Sequence, residues 1–310
     1  MPVESIGTPG LWAAFLGLVL ALLALDLGVF HRSAHAVTIK EAAIWSVVWV
    51  AVSLAFNGFV LYQFGPDRAL EFTTGYLLEK ALAVDNIFVF VAVFGYFAVP
   101  STLQHRVLFW GILGALLMRG AFIGIGSVLI AKFHWILYVF GGLLVITALK
   151  MMFGSEEEVN PERNRVLRLF RRFVPVTSEF HGPNFTVVKE GKRFATPLLV
   201  VLTVIEVSDL IFAVDSIPAI FAVTTDPFIV FTSNIFAILG LRSMYFLLAG
   251  VIDKFHYLKQ GLAFVLLFVG VKMLIMDVFK IPIAVSLGVV AALIAGSIGL
   301  SLLKPKPAAE

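Results

Sequence analysis

There are no cysteines among the 310 residues. That excludes disulfides, thiolate metal sites and cysteine nucleophiles. Charge is nearly as scarce: 14% of residues are charged and 60% are hydrophobic, with a mean hydropathy of +0.99. This balance excludes an ordinary soluble domain and gives no basic footprint for nucleic acid. Residues 1–10 hold no Lys or Arg, and the apolar run 11–30 is too long for the core of a signal peptide. The "AHA" at 34–36 is therefore not read as a cleavage site. Histidine is absent from the depths of the apolar runs: His31, His35, His105, His134, His181 and His256 all fall in loops or at run ends.

What is present is a succession of apolar runs of about 20 residues, the length that a helix needs to cross a bilayer. They predict an all-α polytopic membrane protein with about nine spans, near 11–30, 43–64, 71–98, 106–130, 133–153, 196–222, 228–250, 257–278 and 281–303. The whole chain, 1–310, reads as one transmembrane domain interrupted by a polar loop at 154–195. Lys and Arg in the connections fall 15 on one side and 3 on the other, the 3 being Arg68, Lys132 and Lys280. The positive-inside bias puts the N-terminus outside and the C-terminus and the 154–195 loop in the cytoplasm of a cell inner membrane. The segment "RVLRLFRRF" at 165–173 is basic and amphipathic. It reads either as a solvated cytoplasmic helix or, over 163–173, as one lying on anionic lipid headgroups.

The chain repeats itself. "AVDNI" at 83–87 matches "AVDSI" at 213–217, "LLMRG" at 116–120 matches "LGLRS" at 239–243, "KFHW" at 132–135 matches "KFHY" at 254–257, and Lys150-Met151 matches Lys272-Met273. The offsets are 130, 123, 122 and 122. Spans 3–5 (about 71–153) and 6–8 (about 196–278) thus form two repeats. Because the first begins outside and the second inside, their topology is inverted. Secondary transporters use that arrangement, with substrate bound near the midplane where the halves meet.

Six acids lie within the spans: Asp26, Glu79, Asp85, Glu206, Asp209 and Asp215. Each would cost about 2.5–3.5 kcal/mol facing lipid, and six about 15–20 kcal/mol, so they face the interior. Any one of them reads equally well as the partner of an interior cation. The interior bases are only three, Lys80, Arg119 and Arg242. The surplus of negative charge suits bound protons or a divalent cation. Glu79 and Asp85 are six apart, as are Asp209 and Asp215. On an unbroken helix that leaves each pair about 120° apart. Joint binding of one ion would require the helix to break between them, with Gly75 and Pro218 as points of weakness. Asn86 and Ser216, next to the repeated Asp, are neutral oxygen donors for the same site. Asn57 and Asn234 read as interhelical hydrogen-bonding groups. Carboxylate and carbonyl oxygens without thiol or imidazole favour Mg²⁺, Ca²⁺ or Mn²⁺. The thirty Phe residues read as packing bulk.

The stretches "LALDLGVF" at 23–30, "LLEKALAVDNIFVF" at 77–90 and "VIEVSDLIFAVDSIPAIF" at 204–221 resemble the TerC family of integral membrane proteins, above all its alkaline-induced, Alx-type branch. The resemblance runs from the first span through the ninth. It implies export of manganese from the cytoplasm. Glu79, Asp85, Glu206, Asp209 and Asp215 match the acids tied to that activity, and Asp26 matches the first-span motif. The expected function is a secondary transporter exporting a divalent metal, foremost Mn²⁺, coupled to protons through a midplane carboxylate site. Asp85 and Asp215 would be primary ligands, and Glu79 and Asp209 second ligands or proton carriers. Arg119 and Arg242 would pair with the empty carboxylates or form a structural ion pair. No cofactor is expected. The alternative is a membrane stress-response or assembly protein of the tellurium-resistance type without transport. An enzyme is not expected: the YD and GxGD settings of an intramembrane aspartyl protease are absent.

Overall fold

The computed structural model describes residues 5–30, 37–133, 135–153, 174–189, 191–249 and 257–303, with the side chains of residues 26–30 and Asp85 outside the described set. The predicted amphipathic stretch 163–173 and the Asp26 carboxylate therefore lie outside it.

A helix lies at each predicted span, the seventh in two pieces. They are α1 (Pro9–Phe30), α2 (Ile39–Phe64), α3 (Pro66–Tyr96), α4 (Ser101–Lys132), α5 (Ile136–Phe153), α6 (Pro197–Phe221), α7 (Pro227–Leu239), α8 (Leu241–Leu248), α9 (Leu258–Leu274) and α10 (Ile283–Leu303). Among the described residues five of these are long and apolar enough to cross a membrane, and the α7–α8 pair, bent by 40°, makes a sixth. The long α3 carries Glu79, Lys80 and Asp85 among its apolar residues.

Local chemistry sets the ends. Thr38 caps α2 by accepting from the Glu41 N–H at 3.3 Å. Gly65, at φ 88°, is the single residue between α2 and α3, a conformation that suits glycine, and Pro66 then opens α3. Asp226 caps α7 ahead of Pro227. Within the 154–195 loop, Thr186–Lys189 and Lys192–Ala195 form an antiparallel hairpin, β1 and β2, in the register Thr186↔Ala195 to Lys189↔Lys192. Thr196 closes it onto α6 by donating its hydroxyl to the Asn184 carbonyl at 2.7 Å.

The helices pack in a regular pattern. The closest partners are α5 with α9, α3 with α7, α4 with α6, and α3 with α6. At the α5–α9 crossing Gly141 faces Gly270, and a Cβ on either would lie 2.9–3.0 Å from the other's carbonyl oxygen. Only glycine allows backbones that close, as in other packed membrane helices. Aromatic rings join α1 and α2 to this core: Phe236 of α7 lies 4.9 Å from Phe56 and 5.7 Å from Phe15, centroid to centroid. The phenylalanines that are buried here pack as core bulk. Facing outward are Leu20, Leu61, Leu300 and Leu303, exposed as lipid-facing side chains would be.

Candidate functional site

The structure brings one predicted pair of acids together and separates another. Glu79 of α3 and Asp209 of α6 are 130 residues apart, the offset of the two AVD motifs, and both meet Arg119 of α4. Arg119 Nη2 donates to Asp209 Oδ1 at 3.0 Å and Nε donates to Oδ2 at 3.3 Å, a bidentate pair. Nη1 forms an ion pair with Glu79 Oε1 and donates to Ser216 Oγ at 3.3 Å. Asn86 Nδ2 completes the cluster, donating to Asp209 Oδ1 at 3.2 Å. Glu79, Arg119 and Asp209 are only 1%, 2% and 3% exposed.

Helix geometry explains the membership. Glu79 and Asn86 are seven apart, as are Asp209 and Ser216. Seven residues return a helix to nearly the same face, within about 20°. An acid followed seven residues later by Asn or Ser, once in α3 and once in α6, was the signal for this cluster.

Both α3 and α6 run unbroken through these positions, and Pro218 sits inside α6 without interrupting it. The expected break between Glu79 and Asp85, or between Asp209 and Asp215, is thus not found. Gly75 does not weaken α3 but lets it approach α7, where an added Cβ would fall 2.8 Å from Ser233 Oγ. Accordingly Asp215 does not face Arg119. It is half-buried and accepts from Thr147 Oγ1 of α5 at 2.9 Å. The Asp85 side chain lies outside the described set. Among the described residues no group of three acids or histidines converges as a preformed metal cage.

Glu206, one turn before Asp209, is half-buried at the α4–α6 crossing. Its carboxylate rests against Gly114, where an added Cβ would collide with it. The break in the helical frame falls instead at Gly240, between α7 and α8. There the Lys80 ammonium donates to the Ala237 carbonyl at 3.1 Å, and an added Cβ on Gly240 would lie 2.6 Å from Nζ. Lys80 thus caps the negative end of α7 and does not pair with Glu79 beside it. Arg242 follows the break and is buried, at 5% exposed. Asn57 donates to Thr73 Oγ1 at 2.8 Å, the interhelical bond expected of it. Asn234 is fully buried, and neither of its side-chain polar atoms has a hydrogen-bond partner among the described residues.

The cluster is sealed. A cavity of about 10 Å³ touches Asp209 and is otherwise walled by apolar groups, among them Phe90, Leu108, Ile112, Ile205 and Leu241. That is room for about one water molecule. One carboxylate oxygen, Glu79 Oε2, is buried with no hydrogen-bond partner among the described residues. Among the described residues two carboxylates share one guanidinium here, joined by the neutral groups of Asn86 and Ser216.

The integral membrane protein TerC family matches residues 64–308. The chain is 57% identical to "Uncharacterized membrane protein STKORF319" of Myxococcus xanthus, covering 98% of this chain and 95% of that one. It is 52% identical to the "Putative membrane-bound redox modulator Alx" of Escherichia coli K12, covering 93% and 92%. A Rickettsia bellii membrane protein is 39% identical over 94% and 97%. No solved structure matches. With the family match covering most of the chain, and these relatives matched almost end to end, the chain belongs to the TerC family of integral membrane proteins.

Proposed function

We propose that this protein is a secondary transporter that exports a divalent metal, Mn²⁺ foremost, from the cytoplasm across the inner membrane in exchange for protons. The observation that carries this reading is the buried Glu79–Arg119–Asp209 cluster, drawn from matching positions of two sequence repeats. A purely structural ion pair needs one acid for one base. This one has two acids, a buried carboxylate oxygen without a donor among the described residues, and a further acid, Glu206, one turn before Asp209.

In this reading all nine helical positions are spans, the N-terminus is outside, and the repeats are inverted. The packing supports the pairing of the two repeats. Exchanging α3 with α6, α4 with α7–α8, and α5 with α9 turns the α3–α7 contact into the α6–α4 contact and leaves α3–α6 and α5–α9 unchanged. Arg119 acts as a tethered counter-ion for the metal-free state. It neutralises the carboxylates while the site is sealed. An entering cation first meets Glu206 at the α4–α6 crossing, then displaces the guanidinium from Asp209 and Glu79. Asn86 and Ser216 supply neutral oxygens. Asp85, Asp215 and Asp26 serve the same pathway. Arg242 holds the corresponding place in the second repeat. The oxygen-only donors suit a hard divalent ion. The chain needs no cofactor and catalyses no covalent chemistry.

The test is flux through the purified full-length chain in liposomes, with Mn²⁺ compared against Mg²⁺, Ca²⁺ and Zn²⁺, and with the pH gradient imposed or collapsed. Manganese movement that follows the pH gradient and is lost in Asp209→Asn supports the reading. Folded protein that moves no metal faster than empty liposomes overturns it. That result would favour a second reading, prompted by the relatives named as redox modulators: a stress-response partner without transport. With no cysteine, such a role would have to act through other proteins, not through thiols of this chain.

A further inference from the structure

The membrane face away from the hairpin is poor in bases, and the few it has are gathered. Of the three connection-borne bases assigned to it, Arg68 and Lys280 line a single cavity of about 460 Å³ together with Lys272. The cavity lies where the first turns of α3 and α5 meet the last turns of α6 and α9. Its apolar wall includes Leu137, Phe221, Met273 and Met276. Glu71 is the one acid in the lining, and it is already engaged: it accepts from Arg68 Nη1 and from Thr224 Oγ1, both at 2.8 Å. Asp226, 3.9 Å from Arg68, is buried and taken up by Ser5 Oγ, the Ile6 N–H and the Phe228 N–H at 2.8–2.9 Å. Asp277, on the same end of the bundle, accepts from the Tyr138 hydroxyl.

Lys272 and Lys280 have no carboxylate partner among the described residues, although Lys272 is half-buried. A half-buried ammonium beside an apolar wall calls for an anion. A cation site is disfavoured here by the same surplus of positive charge. The apolar wall and the position at the helix ends, where headgroups lie, choose between anions.

We propose that this cavity binds an anionic phospholipid of that leaflet. Lys272, Lys280 and Arg68 hold the headgroup phosphate, and an acyl chain lies along Met273 and Met276. The site is separate from the carboxylate cluster and does not depend on what the cluster transports.

The test uses the full-length chain, delipidated in neutral detergent and followed by native mass spectrometry. It is titrated with phosphatidylglycerol, with phosphatidylcholine of the same acyl chains, and with inorganic phosphate. Phosphatidylglycerol binds in preference, and Lys272→Gln and Lys280→Gln each weaken it about fivefold, the ratio expected for one base near an anionic headgroup. Lys132→Gln, on the same face but away from the cavity, leaves binding unchanged. Should Lys272→Gln fail to fold, the exposed Lys280 carries the test alone. Equal binding of phosphatidylcholine, or indifference to both substitutions, overturns the proposal. So does inorganic phosphate binding as tightly as the lipid, which would make this a site for a free anion.

Discussion

Arg119 Nη2 lies 3.0 Å from Asp209 Oδ1, inside a bundle that leaves the two residues 2% and 3% exposed. Neither charge could stand alone at that depth. The side chains come from α4 and α6, so the pair also fastens those helices together.

Removing the arginine should therefore hurt more than removing the whole cluster. Arg119→Leu leaves two uncompensated carboxylates and is expected to cost about 3–5 kcal/mol. The triple variant Arg119→Leu, Glu79→Gln, Asp209→Asn should recover most of that loss while remaining unable to move metal. Thermal unfolding of the detergent-solubilised chain, paired with liposome flux, checks both halves. A triple variant no more stable than Arg119→Leu would show that the acids contribute nothing to the penalty.

Gly114 and Gly124 offer a matched comparison on one helix. An alanine methyl at Gly114 collides with the Glu206 carboxylate, whereas nothing lies within 4 Å at Gly124. Gly124→Ala should be neutral or slightly stabilising, since alanine favours helix over glycine by about 1 kcal/mol. Gly114→Ala should displace Glu206 and slow metal flux in protein that is still folded. Equal flux in the two variants would remove Glu206 from the pathway.

Thr147 should matter only through Asp215. Thr147→Val keeps the shape and deletes the hydroxyl that Asp215 accepts at 2.9 Å. If Asp215 binds metal, the variant raises the manganese concentration needed for half-maximal flux. In an Asp215→Asn background it then has little further effect on flux. Additive losses in the double variant would mean that the two residues act separately.

Lys80 is expected to be structural. Lys80→Met deletes the donor to the Ala237 carbonyl beside the α7–α8 break, leaving that acceptor buried, at a cost of about 1–3 kcal/mol. The melting temperature should fall, while residual flux per folded molecule stays near normal. A selective loss of flux without loss of stability would make Lys80 part of the transport machinery.

The sequence alone determined the class, the helix positions and the list of acids. Those follow from hydropathy and from desolvation cost, both of which are local. It also set a condition, a break between Glu79 and Asp85 if they bind one ion, and α3 shows no such break. The structure keeps α3 and α6 continuous, because acids six apart need not cooperate when a third helix can bring a partner. Only tertiary packing decided that Arg119 of α4 would bridge Glu79 and Asp209, that Asp215 would turn to Thr147, and that Lys80 would leave its neighbour Glu79 for the end of α7. Periodicity fixes which face of a helix a residue occupies. It does not say which helix will cover that face, and burying a charge forces that choice between elements far apart in the chain.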